Sequence, residues 1–274
     1  TIVSRSAVPV KFDQISSGEA SSTDKLPLEE NEELSIEMLR RISFDSSQPY
    51  WLREGGNAAS DWKQKGLPEN LPQITRDYLL EIEGVDIPYT KVIDYKWTDR
   101  VDGELHRDVI AAPAVTANLS EKVFLFSSNE AQQVNVLLEA NKEAVEDALS
   151  IKVPEGWTVS PKEIAFQMTS KGEQKLLSFQ LIPSASASEG VLQCMLGGTQ
   201  ARGVQRIDYP HIKPQIFFPE AKAKVVRMDL DKSVKRLGYI IGSGDEVAQN
   251  LSQVGFEITS FHAEELSTMD LDQF

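Results

Sequence analysis

Residues 149–170 read LSIKVPEGWTVSPKEIAFQMTS, and the fold turns on this stretch. Leu149, Ile151 and Val153 fall on one side of an extended chain, with Ser150 and Lys152 on the other. After the turn signals Pro-Glu-Gly and Ser-Pro, Ile164, Phe166 and Met168 repeat the alternation. A period of two is the signature of a half-buried strand, because successive side chains of extended backbone point to opposite faces. The same pattern extends outward in both directions. "EKVFLF" and "QQVNVLLEA" lie upstream; "KLLSFQLIP", with Leu177, Phe179 and Leu181 on one face, and "VLQCMLGG" lie downstream. Strands recurring at intervals of roughly 10 to 15 residues with turns between them predict two sheets packed on their apolar faces. Cys194 falls on the apolar side beside Leu192 and Leu196, so it reads as a buried structural thiol rather than a nucleophile.

Toward the N-terminus, residues 1–113 are short alternating runs broken by turn residues, which predicts antiparallel strands. In "RDYLLEIEG", Tyr78, Leu80 and Ile82 alternate with Asp77, Leu79 and Glu81. In "KVIDYKW", Ile93, Tyr95 and Trp97 alternate with Val92, Asp94 and Lys96. A long polar connection, residues 46–72, interrupts them and carries Trp51 and Trp62; a loop of that length in a compact domain is usually functional or mobile. The acidic run "EENEE" reads as a solvated segment. Toward the C-terminus, "DYPHIKPQIFFPEA" reads as a connector. "AKVVRMDL" then predicts an apolar strand of a parallel sheet, and "SGDEVAQNLSQVG" a helix. That helix has Ser243 or Asp245 near its start, Val247, Leu251 and Val254 on one face, and Gly255 at its end. "FEITSF" is a second strand, and this order is the opening of a doubly wound α/β unit.

Length and composition narrow the classes. The 274 residues suffice for two or three domains, and no apolar run approaches the roughly 20 residues of a membrane-spanning helix. A formal net charge of -14 without a local basic cluster disfavours nucleic acid and anionic membrane surfaces as partners. One cysteine excludes an internal disulfide and a Cys-based zinc cluster, but leaves the compartment open. "TIVSRSAVPVKF" lacks the pattern of a signal peptide, and at the other end "STMDLDQF" is expected to lead into a further apolar strand of a longer protein.

Candidate chemistry is sparse. His106, His211 and His262 lie in separate segments without H-x-x-x-H or H-x-H spacing, and no G-x-S-x-G elbow is present, so no catalytic residues and no metal ligands are assigned. Gly238, Gly242 and Gly244 precede a helix, but their spacing matches neither G-x-G-x-x-G nor a P-loop; a tight turn with an N-cap explains them. The loop aromatics Tyr50, Trp51 and Trp62, with Arg53, Glu54, Asn57 and Asp61 nearby, are the candidate ligand-binding residues. Flat apolar faces beside hydrogen-bonding groups suit a sugar ring. Packing of Trp51 against the sandwich is the competing reading.

The stretch "YKWTDRVDGELHR", residues 95–107, concentrates Asp99, Asp102, Glu104 and His106. Alternation makes it a hairpin turning through Asp102-Gly103. Ile93, Tyr95, Trp97, Leu105 and Val109 are then expected inward, and His106 outward with Glu104 and Asp108, opposite Asp94 and Lys96. Such a face reads as a charged hairpin surface rather than a zinc site, given the nearby lysine and the absence of a second histidine.

Taken in order, "QPYWL", "YKWTDRVDGELHR", "PEGWTVSP", "IDYPHIKPQ", "LGYIIGSGDEV" and "LSQVGFEIT" resemble the downstream portion of the large bacterial PIG-L/LmbE-type N-acetylglucosaminyl deacetylases. The resemblance implies β-sandwich modules, one similar to the sandwich associated with α-galactosidases, followed by a class I glutamine amidotransferase-like domain. The family's zinc motif, A-H-P-D-D-E with a distant histidine, does not occur here, so zinc is expected only in a separate catalytic domain of the parent hydrolase. The expected architecture is mainly β. It has a β-sandwich over 1–113, an Ig-like β-sandwich over 114–210, a linker over 211–221 and a partial α/β doubly wound unit over 222–274. The expected function is a non-catalytic accessory region that holds glycan or positions domains; the alternative is a structural spacer or protein-interaction sandwich without ligand. The expected partners are neighbouring domains of one polypeptide and possible glycan. A periplasmic or extracellular location follows from the resemblance alone.

Overall fold

The computed structural model describes all residues except 1, 6, 18–19, 23–25, 37–45, 53–65, 210, 243, 245 and 268–269. The chain is mainly β and divides into two units, Thr1–Ala111 and Ala112–Phe274.

In the first unit, β1 (Ile2–Val3) pairs with β5 (Glu33–Leu34). A larger antiparallel sheet is ordered β3 (Ala20–Ser22), β2 (Val10–Ser17), β6 (Thr75–Ile82), β7 (Val85–Val92), with β4 (Leu26–Leu28) also on β2. The β6–β7 turn is the residue pair Glu83-Gly84, both at positive φ (51° and 80°), the mirror-image turn whose twist suits a tight hairpin. Strand β7 is exposed along its whole length, and Pro88 within it lacks an amide hydrogen, which blunts the edge against further strand pairing. Finally, β8 (Asp94–Asp99) and β9 (Gly103–Asp108) form a two-stranded ribbon. The core is small: Val10, Phe12, Ile15 and Leu28 are buried, with Ile2, Leu34, Ile36, Tyr78, Leu80 and Ile82 packed against them. The inward set expected in "RDYLLEIEG" is therefore the set that packs. Where a two-sheet sandwich is expected over 1–113, the described residues instead form one five-stranded sheet and two ribbons.

The second unit opens with β10 (Val115–Leu119), β11 (Val123–Phe126), β12 (Gln132–Ala140), β13 (Val145–Lys152), β14 (Thr158–Ser160), β15 (Glu163–Met168), β16 (Gln174–Ile182), β17 (Ser188–Leu196) and β18 (Thr199–Gln200). One sheet is ordered β10-β12-β16-β14. The other joins β11, β17, β13 and β15, with β18 on β17, through one further strand, β21 (Lys222–Arg227). Between β18 and β21, β19 (Gln205–Ile207) and β20 (Gln215–Phe217) form a short hairpin. Val134, Val136, Leu138, Phe179 and Leu181 from the first sheet join Phe124, Phe126, Leu149, Ile151, Phe166, Met168, Leu192, Cys194 and Val225 from the second in one core. Each such aliphatic or aromatic side chain contributes about 1.5–3 kcal/mol by leaving water.

Strand β21 corrects the expected boundaries. It lies parallel to β11 and antiparallel to β17, inside this sheet, rather than opening a separate α/β unit at 222. The reason is a period of two that its apolar content hides. Ala223 and Val225 are buried, while Lys222 and Lys224 face out, Lys224 on Glu189 at 2.8 Å. Likewise, the 211–221 segment is partly strand β20 rather than only a linker.

The β-α-β order appears further on, as β22 (Arg236–Ile240), α1 (Val247–Gln253) and β23 (Glu257–Phe261), with β22 and β23 parallel. Ser243 and Asp245 lie outside the described residues; the cap residue Glu246 makes no side-chain cap bond. At the other end Gly255 (φ 85°) donates its N–H to Ser252 O, and Phe256 donates to Leu251 O, a glycine-terminated Schellman stop. Gln253 then ties the helix to the sheet edge, accepting from Leu125 N–H at 2.8 Å and donating to Val123 O at 3.4 Å. Its amide occupies the place of a neighbouring strand on β11, covering backbone groups that an edge strand leaves unpaired.

Candidate binding site

Of the three candidate aromatics, Trp62 lies outside the described residues. Tyr50 and Trp51 sit on a single 3₁₀ turn, Tyr50–Leu52. Asn70 anchors that turn, its Oδ1 accepting from Tyr50 N–H at 2.7 Å and its Nδ2 donating to Gln48 O at 2.6 Å. Buried Ser47 adds a second tie: its N–H donates to Ala111 O, and its Oγ accepts from Ala111 N–H, both at 2.8 Å. The Tyr50 hydroxyl is spent on Leu67 O at 3.0 Å, so Tyr50 is a structural anchor. Trp51 meets Tyr50 edge-on, centroids 5.0 Å apart at 87°, and remains 43% exposed. It is not packed away in a core.

The β8–β9 ribbon presents two chemically different faces. Its tip is the loop Arg100-Val101-Asp102 closed by the pair Asp99–Gly103, with Gly103 at φ 79°. Asp99 Oδ1 accepts from Val101 N–H at 2.7 Å and Asp102 N–H at 3.1 Å, which holds its carboxyl below the usual carboxylate range. One face carries Tyr95, Trp97, Leu105 and Arg107. The sequence places this side inward; instead Tyr95 is 64% exposed and Val109 is exposed as well. The physical reason is that alternation specifies which residues share a face, whereas burial requires a second layer, and among the described residues the ribbon pairs with no third strand. The aromatics cover one another instead. Tyr95 and Trp97 stack at 5.6 Å and 25°, and the Arg107 guanidinium lies 5.4 Å from the centre of the Trp97 ring. Sequence reasoning missed Arg107, although its position directly across from Tyr95 in register is the available signal.

The opposite face is ionic, as the alternation predicts. His106 Nδ1 lies 2.7 Å from Asp94 Oδ2 and Nε2 lies 3.0 Å from Glu104 Oε1. Lys96 donates to Glu104 Oε2 at 2.7 Å. Hydrogen bonds to Asp94 first, then Glu104, raise His106 above the ordinary 6.5, while Lys96 and His106 lower Glu104. Both ring nitrogens point at carboxylates and an ammonium occupies one of these, a donor arrangement that does not fit zinc. Among the described residues no group of three or more His, Cys, Asp or Glu is arranged to hold a metal ion.

The remaining candidates are structural. Cys194 is fully buried and its thiol is pushed up to about 12 by desolvation, which suppresses the thiolate a nucleophile needs. A Cβ on Gly238 would come within 3.0 Å of the Phe261 and Phe274 rings, so close packing accounts for that glycine without an anion. His211 stacks on Tyr209 at 5.8 Å.

No known family model matches the chain, and no curated protein matches it in sequence. Among the described residues no helix is long and apolar enough to cross a membrane.

Proposed function

We propose that the chain is a non-catalytic accessory region of a multidomain, zinc-dependent deacetylase of the PIG-L/LmbE type, and that it holds N-acetylglucosamine-containing glycan near a catalytic domain elsewhere in the parent protein. In this reading the second unit is an Ig-like β-sandwich, the segment from β22 to β23 opens an α/β domain, and the setting is periplasmic or extracellular. The observation that carries it is the Tyr95–Trp97 stack, exposed at Tyr95 and half-buried at Trp97, with Arg107 beside it. An aromatic ring left in water, as Tyr95 is beside the half-buried Trp97, costs solvation unless something covers it, and the apolar face of a pyranose ring matches its size and shape. Arg107 supplies N–H donors for ring hydroxyls and acetamido oxygens. Trp51 offers a second such surface.

Titration with N-acetylglucosamine oligomers, followed by tryptophan fluorescence, tests the reading. A saturable change that is lost in Trp97→Ala, with the circular dichroism spectrum unaltered, is the expected result. A flat titration with intact protein favours a structural spacer and removes the glycan-holding role.

A further inference from the structure

We infer that the face formed by Tyr95, Trp97 and Arg107 selects an acidic glycan, in which a hexuronic acid residue lies on the aromatic rings and its carboxylate pairs with Arg107. The inference rests on the glycan reading of this face and names the sugar chemistry that the face prefers. It starts from where the ribbon places its charges. Asp94, Glu104 and Asp108 lie on the opposite face, where Lys96 sits on Glu104 at 2.7 Å and His106 lies 2.7 Å from Asp94 and 3.0 Å from Glu104. Asp99 shares the aromatic side by alternation, but its Oδ1 accepts from Val101 N–H and Asp102 N–H and so belongs to the tip loop. Arg107 is left without a carboxylate partner among the described residues. By contrast, Arg206 is set on Glu139 at 2.5 Å and Arg227 on Asp229 at 2.9 Å. Acidic residues outnumber basic ones by 42 to 28, so the missing partner does not reflect a shortage of carboxylates in the chain.

The guanidinium is also oriented. Its Cζ lies 5.4 Å over the Trp97 ring, and a guanidinium stacked in this way uses its flat face while the N–H groups in its plane stay available. A carboxylate accepts two of those N–H groups side by side, whereas a sugar hydroxyl engages them singly and without opposite charge. Register supplies the spacing. Arg107 stands directly across from Tyr95, and side chains so opposed have Cβ atoms about 4.5–5.5 Å apart. A hexuronic acid carries its carboxylate on a ring carbon, so one rigid residue can cover the exposed Tyr95 ring and reach the guanidinium beside it. A carboxylate on a flexible arm loses more conformational freedom in making the same contact. The chain's net charge of -14 opposes any polyanion, but at about 0.15 M salt the screening length is about 8 Å, so the cation in contact outweighs the remote anions.

Calorimetric titration of the full chain at about 0.15 M salt with two probes of equal length tests this. One is the hexamer of N-acetylglucosamine; the other is a hyaluronan hexasaccharide, in which N-acetylglucosamine alternates with glucuronic acid. The hyaluronan probe should bind about ten-fold more tightly. Arg107→Gln, which keeps amide N–H donors and loses the charge, should abolish that preference and leave the affinity for the neutral hexamer within about two-fold. Equal affinity for the two probes, or a preference that survives in Arg107→Gln, overturns the selection of an acidic sugar and leaves the glycan reading standing. Absence of binding to both probes overturns the two together.

Discussion

Gly190→Ala in β17 tests the packing of the second unit most sharply. A Cβ built on Gly190 would lie 2.4 Å from Pro154 Cγ and 2.7 Å from Pro154 Cβ. Carbon atoms prefer about 3.5–4.0 Å, so the methyl group arrives more than about 1 Å too close to a stiff ring. The ring has little room to retreat. Trp157 N–H donates to Pro154 O at 3.2 Å, and the buried Trp157 indole, edge-on to Phe126 at 5.2 Å, donates to Ser188 Oγ at 3.0 Å. The φ of Gly190 is not in the left-handed region, so no backbone strain is added and the whole effect is steric. Overpacking of this kind costs about 1–3 kcal/mol, which for a unit of this size lowers Tm by about 2–4 °C per kcal/mol. Urea unfolding monitored by far-ultraviolet circular dichroism gives the number. The decisive comparison is the Pro154→Gly background, in which both offending carbons are gone and Gly190→Ala should cost less than about 0.5 kcal/mol. An unchanged midpoint in Gly190→Ala, or the same loss with and without Pro154, would refute the reasoning.

Two other outcomes follow from side chains in the same unit. Asn118 Oδ1 accepts from Val204 N–H at 2.8 Å and its Nδ2 donates to Val204 O at 3.2 Å, so Asn118→Ala should destabilise by about 1–3 kcal/mol per orphaned group in a urea titration, and a shift under about 0.5 kcal/mol would contradict it. Cys194, with its thiol pushed up to about 12, should resist a thiol-exchange reagent at pH 8 until denaturant unfolds the chain; rapid stoichiometric labelling of native protein would show the thiol to be accessible.

Strand identity and facing were legible without the fold, because alternation is a local property of extended backbone. Phe179 and Leu181, Phe166 and Met168, and Leu192 and Cys194 all face the core that their spacing predicts. So did the ionic side of the ribbon, where His106 and Glu104 share a face with Asp94 and Lys96. Partnership was not legible, because hydrogen bonding between strands joins residues distant in sequence and leaves no local mark. Lys222–Arg227 pairs with Val123–Phe126, and no composition rule assigns it to that sheet rather than to the β-α-β segment that follows. Exposure depends on the same nonlocal choice. Tyr95 and Trp97 have the spacing of core residues, and the absence of a third strand beside β8 and β9 among the described residues leaves Tyr95 exposed and Trp97 only half-buried. The sequence by itself determined a mainly β chain and the side on which each residue of a strand points. The tertiary structure decided which of those sides meets another layer and which meets water, since burial is a property of two surfaces and the sequence of a strand describes one.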